Sequence, residues 1–433
     1  MSQIFPPASS TASNALRDAP SARASEPAAV RALRIAGVVC LVLLPLAMWL
    51  ANRSAPLMLG LAAAAFLGAG LLAEPAAASI ARLRALLATP VALAIAAFLA
   101  WALVSIGWSN KASVSLQAWA ELILPIVFAL AIATSGQWRP TPQFLRALAL
   151  MILAAAILSM IELASGLSQR AALGTGKMMA FVFNRPAITC FLLAVPTVYA
   201  LWSRPGAHWA DRLLAVLLML VVAIFAVRSE SASVRLGLAV LVLCWACAAL
   251  APRLALTAVA LAFVTTMALA PVLGVTAQRW LPSMILDRFN SMTGQARIDI
   301  WQSFGEVVWV RPVAGTGFGT SAVMREHPVA AEVPAAEREL LGVGHPHDMP
   351  LQAWAETGVI GAGVLTLAGL LLLARLRRLP PAELAPRLAL FTAAFSIAVV
   401  GHGAWQGWWI AALGAAILWF GTVAASRRGD DHG

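Results

Sequence analysis

Apolar residues gather in long runs near 35–51, 56–73, 90–108, 114–134, 146–163, 179–202, 213–227, 236–251, 254–275, 351–374, 386–401 and 404–425, with short polar turns between most of them. Runs of this kind fit α-helices that cross a bilayer, and none has the short alternating pattern of a transmembrane β-strand. The pattern therefore predicts an all-α polytopic membrane protein of about twelve spans. One segment, 277–350, breaks the rhythm. Within it Ile298, Trp301, Phe304 and Val308 recur at helical spacing, which predicts an amphipathic helix over 295–310 lying on the bundle. Pro334 then opens a shorter helical stretch through Leu341. The chain thus divides into a tail at 1–34, nine spans over 35–276, the long loop at 277–350, three spans over 351–425, and a tail at 426–433. The first tail is rich in Ser, Pro and Ala and reads as disordered.

Composition supports this division. Of 433 residues, 61% are hydrophobic and 11% charged, whereas soluble domains run nearer about 45–50% and about 25%. A soluble enzyme, a disordered chain and a collagen-like fibre are excluded. The net charge of +11 invites a nucleic-acid reading. It fails because the basic residues stand singly or in pairs between apolar runs, with no basic stripe interleaved with aromatics. Cys40, Cys190, Cys244 and Cys247 all lie inside apolar runs. Cys244 and Cys247 have the spacing of a redox motif without its βαβ context, so all four read as small packing residues.

Lysine and arginine collect on the cytoplasmic side of membrane proteins. With the N-terminus inside, Arg82, Arg84, Arg139, Arg146, Arg204, Arg212, Arg253, Arg375, Arg377, Arg378, Arg387, Arg427 and Arg428 all fall on that side. Arg53, Lys111, Arg170, Lys177, Arg228, Arg235 and the long loop fall opposite. Both termini are then expected in the cytoplasm and the loop outside. Tracked by depth, Glu121, Glu162, Arg185, Glu356, Arg228, Arg235 and His402 all lie toward the outer ends of their spans. A proton pump or channel would string such groups through the midplane. Each one singly is also explained by pairing or snorkelling at the interface. As a set they mark a site open to the outer compartment.

The chemistry concentrates at Gly344-His345-Pro346-His347-Asp348-Met349-Pro350-Leu351-Gln352-Ala353-Trp354-Ala355-Glu356-Thr357-Gly358. Pro350 suits a first helical turn and Asp348 a cap before it. His347 is then held just ahead of a helix N-terminus, where free N–H groups favour an anion. A neutral imidazole there suits a base acting on a hydroxyl beside a phosphate, with His345 as its rival. Gln352 and Glu356 share the helical face below, and Glu356 is expected to brace an arginine. Binding of a metal by His345, His347 and Asp348 is the weaker reading, since no other ligands cluster there. Upstream, Gly315, Gly317 and Gly319 form a glycine-rich stretch with no preceding strand. A dinucleotide loop is excluded, and close backbone approach to a ligand stays open.

Three elements in this order resemble the bacterial O-antigen ligase and polymerase superfamily. They are Arg297 followed by Trp301, the Pro-x-x-Gly-x-Gly-x-Gly stretch at 312–319, and the His-x-His stretch running through 345–358. The family usually has Asn where this chain has Asp348, and its Ser-Arg pair is blurred here between Arg228 and Arg235. The resemblance implies a GT-C-like fold. It also implies glycan transfer at the periplasmic face of the bacterial inner membrane, from undecaprenyl diphosphate to a hydroxyl of lipid A–core, with no metal or nucleotide cofactor. Arginine forks match diphosphate oxygens; Arg228 or Arg235, Arg297, Arg288 and Arg185 are the expected clamp. His347 is the expected base, with inversion at the anomeric carbon. Polymerisation of repeat units on the carrier shares this chemistry, and transfer to protein is a further variant. A twelve-span transporter would instead carry two similar halves and a midplane site.

Overall fold

Every apolar run is helical in the computed structural model, which describes residues 26–174, 178–204, 206–280 and 294–430. The helices are α1 Ala28–Leu50, α2 Ala55–Ala73, α3 Ala76–Leu87, α4 Pro90–Ser105, α5 Ala112–Thr134, α6 Pro142–Ala164, α7 Ser168–Ala172, α8 Asn184–Ser203, α9 Trp209–Arg228, α10 Ala232–Leu250, α11 Pro252–Leu269, α12 Leu273–Trp280, α13 Gly294–Val310, α14 Met349–Leu376, α15 Pro381–Val400 and α16 Gly407–Asp430. Among the described residues eleven helices are long and apolar enough to cross a membrane; in α16 the corresponding apolar stretch, Gly407–Gly421, is shorter. No strand occurs among the described residues, as expected where lipid offers the backbone no hydrogen-bond partner.

Two boundaries depart from expectation. α1 starts at Ala28, within the stretch read as a tail, because Arg31 and Arg34 turn back onto Glu26 at 3.8 and 3.0 Å and carry the helix past the last apolar residue. α3 is a short helix between the second and third spans that the apolar pattern does not announce. It buries no residue, and its Arg82 reaches across to the Thr134 carbonyl at 2.7 Å and to Glu74.

The core runs along α8, of which 83% of the membrane-length window is buried, against 17% for α5. α8 packs on α6, α9 and α16. It and α15, the two most buried spans, are also the two least apolar. A helix shielded by other helices needs less hydrophobicity than one facing lipid. Small residues permit the close approach: α16 buries Ala411, Ala412, Ala415 and Ala416 beneath Trp419. The cysteines are all free.

The ends of the bundle differ. At one end, buried Asp211 accepts from Arg146 at 2.6 Å, from Arg204 and from the His208 N–H, while Arg387 donates to the Phe420 carbonyl. At the other, the loop face, Asn52 donates to the Val182 carbonyl, Lys111 pairs with Glu326, and the long loop folds down as a cap. The amphipathic helix over 295–310 is realised as α13. Its Ile300, Phe304, Val307 and Val308 pack on Leu351 and Ala355 of α14 and on Met324, Val329, Val333 and Leu341 of the cap. The stretch opened by Pro334 forms two 3-10 turns, at Ala335–Glu337 and Glu339–Val343.

α14 is broken at Gly358, which adopts φ 64 and ψ −169. Only glycine occupies that region readily. A Cβ there would stand 2.1 Å from the Val313 carbonyl oxygen. The 312–319 stretch enters this gap as a strap: Val359 N–H donates to Pro312 O at 2.8 Å, Thr316 N–H to Ala355 O at 3.0 Å, and Gly317 N–H to Glu356 O at 2.9 Å. We expect Gly358→Ala to collapse this junction, costing about 3 kcal/mol or more. Gly363→Ala, where nothing lies within 4 Å of the added methyl, is expected to melt as wild type. Thermal unfolding of the two variants in detergent checks this.

Candidate functional site

His347 stands at the one sharp bend between the cap and α14. Its φ is +55, one of two positive values among the described non-glycine residues. Backbone strain of this kind is held only where surrounding contacts impose it. Here Asp348 caps α14, its Oδ1 accepting from Leu351 N–H at 2.7 Å, and Pro350 occupies the first turn. The bend brings the rings of His345 and His347 edge to face at 4.1 Å.

The hydrogen bonds assign the two rings different tautomers. His347 Nδ1 lies 3.3 Å from the Gly401 carbonyl, which only accepts, so Nδ1 carries the proton and Nε2 keeps a lone pair. His345 Nδ1 instead accepts from the His347 backbone N–H at 3.3 Å, so its proton sits on Nε2 and that nitrogen only donates. The notable addition is His402. It lies buried between Trp408 and Trp409, at 5.1 and 4.5 Å between ring centroids, with Nδ1 on the Gly403 carbonyl. Sequence reasoning places it among the outer-face groups and gives it no role, because nothing in the local pattern shows that 401–406 folds against 345–347.

Burial, helped by the charges of His347, His402 and Arg185, pushes His345 down to about 3. His402 is pushed down to about 4, again mainly by burial. Burial and the charge of Arg297 likewise lower His347, against the opposing Gly401 bond. All three are neutral at pH 7. Burial pushes Asp348 up to about 7, since only the Leu351 N–H favours its charged form and Oδ2 is buried without a partner.

The expected clamp residues are distributed unevenly. Arg185, at the start of α8, lies over the Trp408 ring at 5.5 Å and reaches Gln406 at 3.5 Å, and its charge bears on His345 and His402. Arg297, half-buried on the first turn of α13, acts on His347. Arg228 and Arg235 are exposed and bracket the α9–α10 turn; Arg235 donates to the Ser229 carbonyl at 3.3 Å. That turn meets the histidines through Ser233, which lies against Gly401. Arg288 lies outside the described residues.

One supporting expectation is corrected. Among the described residues Glu356 contacts no arginine. Wholly buried, it accepts from Gly319 N–H at 2.7 Å, Ser321 N–H at 3.3 Å, Gln352 Nε2 at 2.9 Å and Trp405 Nε1 at 2.7 Å. Its neighbours are backbone, amide and indole N–H groups because the strap, not the clamp, fills the space beside it. The close backbone approach left open for the glycines is made here to protein. A Cβ would meet Glu356 at Gly315, Ser105 and Ser109 at Gly317, and Ala118 and Ser115 at Gly319. Gln352 completes the link, its Oε1 accepting from Ala404 N–H at 2.9 Å. Glu162, also flagged by depth, caps α7 through the N–H groups of Gln169 and Arg170.

Residues 185–366 match the family model described as O-antigen ligase. That region of the chain is similar to the O-antigen ligase family. The matched region contains α8, the cap, the strap, both motif histidines and Glu356. No curated protein and no solved structure matches the chain. The match supports a ligase or polymerase type of glycan transfer in a multi-pass membrane protein.

The site carries a pH signature. Asp348 is raised in the folded state above the ordinary 3.8, so its unfavourable contribution is absent at low pH and grows as pH rises from about 4 to about 7. The three histidines are lowered below 6.5, so their contribution is lost as pH falls below about 6.5. Asp348→Asn keeps the capping oxygen and removes the acid. It is expected to raise the melting temperature more at pH 8 than at pH 5. An equal shift at both values would contradict a strained buried acid.

Proposed function

We propose that this chain is an O-antigen ligase that moves a glycan from undecaprenyl diphosphate to a sugar hydroxyl of lipid A–core. The site faces the periplasm, the bilayer is the bacterial inner membrane, and both termini are cytoplasmic. The observation that carries the reading is the His347 tautomer: a ring held neutral, with Nδ1 tied to Gly401 and a bare Nε2, beside the charge of Arg297.

In the proposed reaction His347 Nε2 takes the proton of the acceptor hydroxyl. The oxygen attacks the anomeric carbon from the side opposite the diphosphate, and the carbon–oxygen bond to phosphate breaks with its electron pair. The configuration inverts, and the proton leaves the imidazole afterwards. Arg297 and Arg185, with Arg228 or Arg235 and Arg288, stabilise the departing charge. One well-placed donor of this kind contributes about 3–4 kcal/mol. His345 donates through Nε2 and accepts the His347 N–H through Nδ1, so it positions the base and does not replace it. The reaction as drawn needs no metal or nucleotide.

The test incubates purified protein with undecaprenyl-diphosphate glycan and rough lipopolysaccharide, with and without chelator. Wild type is expected to produce a ladder only when the acceptor is present. His347→Ala is expected to lose about 10²–10⁴ in rate, and His345→Ala less. Products on the lipid carrier without acceptor would select polymerase, equal losses at both histidines would sink the base assignment, and inhibition by chelator would sink the metal-free scheme. Arg297→Ala is expected to weaken donor use while leaving the protein folded, measured as a fall in kcat/KM.

A further inference from the structure

A cleft of about 400 Å³ opens on the loop face beside the strap. Its volume falls in the range of about 300–1,000 Å³ typical of small-ligand sites. One wall is Trp108 and Asn110, from the turn between α4 and α5; the floor includes Gly315 and Thr316 of the strap; the far wall is Arg311 and His327. The Lys111–Glu326 ion pair joins the two walls next to these residues.

The lining chemistry is selective. Arg311 is neutralised by Glu332, with contacts of 2.7 and 3.5 Å from its two terminal nitrogens. His327 accepts the Val329 N–H at Nδ1, at 3.1 Å, and burial lowers its pKa, so it is neutral. The lining cation, Arg311, is thus already engaged by an acid. Trp108 is 38% exposed and presents an indole, braced against Trp101 at 5.6 Å. Beside it the Asn110 Oδ1 is buried with no donor. An open aromatic face next to an unmatched neutral acceptor fits a sugar ring, which offers apolar C–H faces and hydroxyl donors.

We propose that this cleft is a glycan subsite, in which a sugar ring stacks on Trp108 and a hydroxyl donates to Asn110. The proposal rests on the glycan-transfer reading for its place in the reaction. Thr316 and Gly315 are fastened to α14 at Ala355 and Glu356. The helix from Asp348 to Glu356 rises about 12 Å, a separation that a short oligosaccharide bridges. The ring in the cleft therefore belongs to the chain away from the reacting bond, on the donor glycan or on the acceptor core.

The experiment is saturation-transfer difference NMR on the full chain in nanodiscs with two soluble probes. One is oligosaccharide released by mild acid from the host's undecaprenyl-diphosphate glycan; the other is core oligosaccharide released from its rough lipopolysaccharide. Wild type and His347→Ala are expected to saturate the sugar protons of one probe, which identifies the source. Trp108→Ala and Asn110→Ala are each expected to weaken that binding about 10-fold, while Trp108→Phe retains most of it. In the transfer assay the KM for the substrate bearing that glycan rises correspondingly in Trp108→Ala. No saturation with either probe, or unchanged binding in both Trp108→Ala and Asn110→Ala, overturns the subsite. Binding by wild type without any transfer would sink the ligase reading and leave the sugar site standing.

Discussion

A carboxylate without water must be met by donors, and Glu356 draws four N–H groups from three separate parts of the chain. Burying such a group unpaired would cost several kcal/mol, so its partners are constrained as a set. Gly319 and Ser321 bring the strap, Trp405 brings the turn before α16, and Gln352 is the turn above on the same helix. Gln352 passes the constraint on by fixing Ala404. Gly401, at the other end of that short turn, is the acceptor that decides which nitrogen of His347 carries the proton. The orientation of the proposed base thus follows from a hydrogen-bond arrangement more than two helical turns away.

Crowding sets the character of the histidines. Three imidazoles and the Arg185 guanidinium share a half-buried pocket, and each added positive charge there would be disfavoured by desolvation and by its neighbours. Neutral rings result, and hydrogen bonding then separates them into an acceptor at His347, a donor at His345 and a packed wedge at His402. A general base at pH 7 requires this neutral form, and a pocket already rich in arginine supplies it without a carboxylate partner. Asp348 fits the same logic: burial favours its neutral form, and one oxygen caps the helix as an Asn side chain would.

Local pattern carried much of this architecture. The apolar runs foretold the spans, the 3.6-residue spacing of Ile298, Phe304 and Val308 foretold α13, and Asp348 before Pro350 foretold the helix start that presents His347. These depend on neighbours in sequence. The glycine stretch was ambiguous because Gly315, Gly317 and Gly319 are spaced for close approach without stating to what; the answer, α14 and the turn after α4, lies in tertiary structure. Glu356 draws its partners from distant parts of the chain for the same reason, and local spacing points to an arginine instead. The kink at Gly358 was invisible inside an apolar run, and α3 and the early start of α1 depended on arginines reaching acids or carbonyls outside the apolar pattern.

The break at Gly358 also has a mechanical meaning. Above it, Met349–Thr357 is locked to the strap and cap; below it, the remainder of α14 runs on to Leu376 as a separate rod of about 27 Å. Bilayers differ in thickness, and helices answer by tilting. A straight helix would transmit that tilt to its first turn and swing His347. Here the axis breaks at Gly358, and the Val359 N–H on Pro312 O and the Ile360 N–H on Val313 O hold the top of the lower rod to the strap, so a lean of that rod is met first by the strap and not by the turn that carries His347.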